Sequence, residues 1–142
     1  MKGKVVGIGG IFFKSRSPED LKQWYKEYLN MNTDQWGAPF IAKKYSKPSE
    51  NVYLQWSLFP QDTSYFDPSV QPFMINYRVE HIEALVQDLK LKGVTICDEI
   101  QEFDYGKFVH ILDSEGNKIE LWEPKDSVFD EMYDDAMKLN HE

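Results

Sequence analysis

The segment Asp113-Ser114-Glu115-Gly116-Asn117-Lys118-Ile119-Glu120-Leu121-Trp122-Glu123-Pro124 carries more structural information than any other stretch of the chain. Its first half is a turn. Asp113 and Asn117 can bond their own backbone, and Gly116 supplies the positive φ of a tight reversal. Its second half alternates, with Ile119 and Leu121 on one face and Lys118, Glu120 and Trp122 on the other, until Pro124 ends the strand. The apolar face must cover a core. The other face carries a carboxylate and must look at water or at a ligand.

Outward from that strand the same pattern occurs twice. Residues 4–15 alternate as a strand, with Ile11 and Phe13 on one side and Ile8, Gly10, Phe12 and Lys14 on the other. The Gly9-Gly10 pair inside it marks a bulge or a close approach of backbone or ligand. Ser17-Pro18-Glu19-Asp20 opens a helix with Ser17 as N-cap, and Leu21, Trp24, Tyr25 and Tyr28 form its core-facing stripe up to Asn30. Strands are predicted over 33–35, 39–45 and 51–59, with Ser46-Lys47-Pro48-Ser49 as a turn. Residues 60–72 hold Pro60, Pro68 and Pro72, follow no period, and read as a linker.

The second copy starts at Phe73. A strand over 73–79 precedes a helical stripe of Ile82, Leu85, Val86 and Leu89, which Gly93 ends. Strands over 94–102, 106–113 and 117–122 follow, with Cys97 read as packing. Setting Gly10 over Met74 aligns Ile11 with Ile75, Phe13 with Tyr77 and Leu21 with Leu85, an internal repeat. The predicted organisation is α+β: a βαβββ module over 1–59, the linker 60–72, a second βαβββ module over 73–124, and a C-terminal segment 125–142. In that segment Phe129, Met132, Tyr133, Ala136 and Met137 fall at helical spacing.

Bulk composition excludes several function classes. The net charge of -8 argues against a nucleic-acid partner, which needs concentrated Lys and Arg. No apolar run approaches the ~20 residues that span a bilayer, so no membrane partner is expected. One cysteine and no signal-peptide pattern fit a reducing cytoplasm.

The Asp-x-x-Gly-Asn-x-Ile-Glu-Leu-x-x-Pro strand and the twofold βαβββ pattern resemble the glyoxalase/bleomycin-resistance/dioxygenase proteins, the vicinal oxygen chelate superfamily, from Val5 to Pro124. The opening Gly-Ile-Gly-Gly-Ile-Phe-Phe and closing Ile-Glu-Leu-Trp-Glu-Pro are similar to small bacterial glyoxalase-like members. The resemblance implies two modules curling into a cup around a ligand, with helices outside. It also implies metal ligands on the first and last strand of each module. Those positions fall here on Gly10, on Gln55 (or Trp56, if the register differs by one residue), on Met74 and on Glu120. A glycine and a thioether cannot serve a hard cation, so no metal and no cofactor is expected.

Glu120 is then either a catalytic or ligand-binding carboxylate, or a solvated strand residue. His110 is a general base or a core histidine. Arg78 holds a ligand anion or pairs with an acidic residue. Tyr105 is a rim lid or a turn aromatic. Ile8, Phe12, Gln55, Met74, Asn76, Glu120 and Trp122 are expected to line one cavity, with Gly10 nearest the ligand. The favoured function is metal-independent binding of an aromatic or amphipathic small molecule. The alternative is a lyase or isomerase of the lactoylglutathione-lyase type with Glu120 as base, and a ligand-free dimeric scaffold ranks third. A homodimer is left open as the assembly.

Overall fold

A computed structural model describes residues 2–133. The first half comprises β1 (Lys4–Ser15), α1 (Pro18–Leu29), β2 (Ala38–Lys44) and β3 (Lys47–Pro60). The second comprises β4 (Phe73–Glu80), α2 (Ile82–Leu91), β5 (Gln101–Phe103), β6 (Gly106–Leu112) and β7 (Lys118–Pro124), and α3 (Asp126–Met132) follows. All seven strands form one mixed sheet in the order β2-β3-β1-β4-β7-β6-β5. The fold is α+β. In each half the first strand lies parallel to the last, β1 beside β3 and β4 beside β7, and β1 joins the halves by pairing antiparallel with β4.

The ladders fix which residues meet. Gly10 lies opposite Gln55 on one side and Asn76 on the other, Asn76 lies opposite Glu120, and Glu120 lies opposite His110. The second-half counterpart of Gly10 is therefore Asn76, two residues beyond the Met74 expected from the sequence repeat. A shift of register between Ile8 and Gly10 shows the glycine pair to be a bulge.

One face of the sheet carries α2. Val79, Val109, Ile111 and Leu121 pack there against Ile82 and Val86 of the helix, all six buried. Glu123 caps that helix, its Oε1 accepting from the Ile82 N–H at 3.1 Å. The opposite face carries α3, where Phe129 packs on Tyr53 of β3 with ring centroids 5.4 Å apart.

Several expected elements differ, each for a local reason. Residues 33–35 make an isolated Asp34–Gly37 bridge instead of a strand. Asp34 Oδ1 accepts from the N–H groups of Trp36 and Gly37 at 2.8 and 3.0 Å, which closes a turn. The β2–β3 turn is Tyr45-Ser46, and β3 already includes Lys47-Pro48-Ser49. Residues 94–100 form only an Ile96–Ile111 bridge because the Asp98 side chain takes the His110 N–H at 2.7 Å, where a ladder would continue. Cys97 is accordingly exposed and outside any strand.

Ser17 precedes α1 but makes no side-chain cap bond. Asn30 ends that helix in the left-handed conformation. The α1 stripe is not a core: Trp24 and Tyr28 are 46% and 63% exposed, and no residue of the helix is buried. Of the C-terminal stripe, Ala136 and Met137 lie outside the described residues.

Candidate functional site

On the α3 face of the sheet is a cavity of about 560 Å³. β1 contributes Gly9 and Phe12, β3 contributes Gln55, β4 contributes Asn76, and β7 contributes Glu120 and Trp122. More than half of the described lining residues are aromatic, and Glu120 is the only charged one among them. Trp122 and Phe108 stack with an interplanar angle of 9°, as do Tyr65 and Phe59 at 6°. The wall is thus largely aromatic; Gln35, Gln55 and Ser57 give it neutral polar groups, and its charge is gathered at one point.

That point is Glu120, 3% exposed and enclosed by donors. Asn76 Nδ2 donates to its Oε1 at 2.6 Å. His110 Nε2 bonds its Oε2 at 2.7 Å, and the Tyr65 hydroxyl donates to the same oxygen. Alternation puts the first two groups there, because Asn76 and His110 flank Glu120 on neighbouring strands and point to its side of the sheet. Behind His110, Asp98 Oδ2 lies 2.7 Å from Nδ1 while Asp98 Oδ1 accepts the backbone N–H of the same residue. The carboxylate therefore fixes both the ring and its strand.

Burial works against charge on the His110 ring, but hydrogen bonds from Glu120 and Asp98 and the charges of both outweigh it. They hold the pKa above its ordinary value. A carboxylate stands at each ring nitrogen, so an N–H on either has an acceptor in place. Burial first, and then the Glu120 charge, push the Tyr65 hydroxyl well above its usual range, so it stays a donor. Among the described residues, Asn76 Oδ1 is the one buried side-chain polar atom without a hydrogen-bond partner.

Tyr65 comes from residues 60–72, the stretch expected to be a linker. Here it forms part of the site. Phe66 is fully buried against Phe12 and Met74. Lys118 Nζ donates to the Tyr65 carbonyl at 2.7 Å and sits over its ring. Neither Tyr65 nor Asp98 was among the residues singled out from the sequence. The one available signal for the first was an aromatic pair, Tyr65-Phe66, in an otherwise polar loop.

Of the expected cavity residues, Phe12, Gln55, Asn76, Glu120 and Trp122 line it. Gln55 Nε2 donates to Ser57 Oγ at 3.2 Å. Gly10 does not line it; the bulge moves Gly9 into that place. A Cβ on Gly10 would meet the Phe12 ring at 2.8 Å and Asn76 Cβ at 3.1 Å, so a side chain there would displace the Phe12 ring. Met74 is buried behind the wall with Phe12 and Phe66, and Ile8 is exposed. Arg78 Nη2 pairs with Asp126 at 2.6 Å and its guanidinium lies 5.5 Å from the Trp122 ring centre. It braces the wall from behind and is not available to a ligand anion. Tyr105 lines the cavity and stacks on Phe103, and its carbonyl accepts from Trp122 Nε1 at 3.3 Å.

No protein-family model and no curated protein matches this sequence. Solved structures do. A Streptomyces coelicolor methylmalonyl-CoA epimerase variant, in complex with 2-nitronate-propionyl-CoA, superposes with a TM-score of 0.65. The match has 12% identity and covers 86% of this chain and 99% of that one. Methylmalonyl-CoA epimerase from Mycobacterium tuberculosis matches at 0.57, with 17% identity, over 87% and 91% of the two chains. A hypothetical protein of Bacillus halodurans C-125 matches at 0.53, with 16% identity, over 88% and 96%.

The fold is the vicinal oxygen chelate fold. At these identities the likeness establishes the fold alone. The metal which that fold implies does not suit the residues present. The first-strand place in the first half is a glycine, Asn76 turns its NH₂ to Glu120, and Glu120 is already bonded by three donors. Among the described residues no group of three His, Cys, Asp or Glu side chains can hold a metal ion. Among them, too, no helix is long and apolar enough to cross a membrane.

Proposed function

We propose that this protein binds an aromatic or amphipathic small molecule in the cup without a metal. The observation that carries this reading is the pairing of a flat aromatic wall with a single buried carboxylate whose position is set by four other side chains. The volume of about 560 Å³ falls within the range that suits drug-sized compounds. Ring faces provide area with few rotors to freeze, and the fixed Glu120 provides orientation. In a thermal-shift screen of aromatic metabolites on chelator-treated protein, a ligand of the native state raises the unfolding midpoint by mass action. Binding that appears only after a divalent ion is added would overturn the reading.

A second reading is favoured by the Asp98–His110–Glu120 chain. In it Glu120 takes a proton from a carbon acid next to a carbonyl, as in an isomerase, an epimerase or a lyase. The epimerases sharing the fold support this reading by analogy. Asp98 and His110 would orient Glu120, Tyr65 would supply a donor for the developing oxyanion, and the aromatic wall would exclude water. The test is incorporation of solvent deuterium into a bound carbonyl compound. Exchange that survives Glu120→Gln would remove this reading and leave binding in place.

A further inference from the structure

Resting on the binding reading, the wall chemistry narrows the ligand. We infer that the cup takes a planar aromatic compound carrying a protonated amine, rather than a carboxylate, a phosphate or an ester bearing either.

Three observations converge on this. The first is charge. Among the described residues lining the cavity there is no Lys, Arg or His, and Glu120 is the only ionisable carboxylate. The nearby cations are committed elsewhere: Arg78 to Asp126, Lys118 to the Tyr65 carbonyl, and Lys14 to the Phe66 ring. An anionic group entering this cavity would lose its water and gain no counter-charge, a costly exchange. An ammonium would meet a carboxylate. The His110 charge does not reverse this sign, because Asp98 and Glu120 flank it on both sides.

The second is the hydrogen-bond inventory. A carboxylate offers about four acceptor positions, and Asn76, His110 and Tyr65 occupy three at Glu120. Next to it, Asn76 Oδ1 is a buried acceptor with no donor. It faces Gly9, where a side chain would collide with it. At the Glu120 end of the cavity the unfilled polar capacity is therefore acceptor capacity, and buried acceptors of this kind call for a donor. A primary ammonium has three N–H groups to give.

The third is the wall itself. Trp36, Phe59, Tyr65, Phe108 and Trp122 line the same cavity as Glu120, with Tyr65 in direct contact with it. Aromatic faces attract cations through their quadrupoles, most strongly where water is excluded.

The test compares matched probes that share one ring system: tryptamine, 3-methylindole and indole-3-propionate. Calorimetric titrations use chelator-treated wild-type protein and the Glu120→Gln variant. The wild type should bind tryptamine at least about tenfold more tightly than indole-3-propionate, with 3-methylindole between them. That order should persist at high salt, where attraction to the acidic surface is screened, and should collapse in Glu120→Gln. Equal or tighter binding of the propionate would overturn the ligand class and leave the cup reading standing. A preference that vanishes at high salt, or survives in Glu120→Gln, would assign it to the surface and likewise overturn the inference. Failure of all three indoles to bind at millimolar concentration would overturn both. Should the variant not fold, the wild-type order at high salt decides alone.

Discussion

The two halves of the sheet are built on one pattern and do unequal work. In the second half, α2 buries Ile82 and Val86 against four strand residues, and the other face of the same strands carries Asn76, His110 and Glu120. In the first half no residue of α1 is fully buried: Tyr25 is half-buried against Trp56, and Trp24 and Tyr28 lie largely open. That half gives the cavity a glycine and a glutamine where the other gives an amide and a carboxylate. Residues 60–72 add packing to it, with Phe66 sealed against Phe12 and Met74. A well-packed half can hold a buried charged network in place. The sparsely packed half supplies surface and space.

Truncations should expose that asymmetry, beginning with the largest effect. Phe66→Ala empties the small cluster that steadies the first half, and should cost about 3–5 kcal/mol in urea unfolding. A cost near zero would mean that residues 60–72 do not hold that half together. Ile82→Ala removes the most enclosed residue of α2 and should cost about 2–5 kcal/mol. At the other extreme, Trp24→Ala on α1 should stay within about 0.5 kcal/mol. A larger loss there would show that something covers α1 in solution, such as a second copy of the chain.

Between these extremes lies the charge network. The folded pKa of His110 is raised, so the stability it contributes is fully present below its unfolded value of about 6.5 and is lost as pH rises through the folded value. Asp98→Asn removes one of the two flanking carboxylates. The folded pKa should then drop, so the loss of stability that sets in above about 6.5 should be smaller and complete at lower pH. Following the His110 ring proton by NMR in both proteins reads this directly. A wild-type value at or below 6.5, or no change in the variant, would contradict the network as described.

What could be read from the sequence follows the same division. The β7 strand with its turn, both long helices and the β1 and β4 strands follow from alternation, helical spacing and Gly or Pro punctuation, which act over short distances. Glu120, Asn76 and Trp122 share a face for that reason. Three features were hidden because they depend on contacts distant in sequence. Tyr65 and Asp98 sit in aperiodic segments, and only the folded chain brings them to Glu120 and His110. The Gly9-Gly10 pair marks a bulge or a close approach, but the one-position slip by which Gly9 takes the place expected of Gly10 is recorded by no hydropathy pattern. The α1 stripe has helical spacing, but spacing cannot say whether anything packs against it.

The central claim is that Glu120, held by its neighbours and not by a metal, anchors whatever the cup binds. The most direct measurement is calorimetric titration of a cavity ligand identified by the thermal-shift screen, before and after chelator treatment and in Glu120→Gln. The account predicts an affinity unchanged by the chelator and weakened at least about tenfold in the variant. Binding abolished by the chelator and restored by a divalent cation, or untouched by loss of the carboxylate, would contradict it.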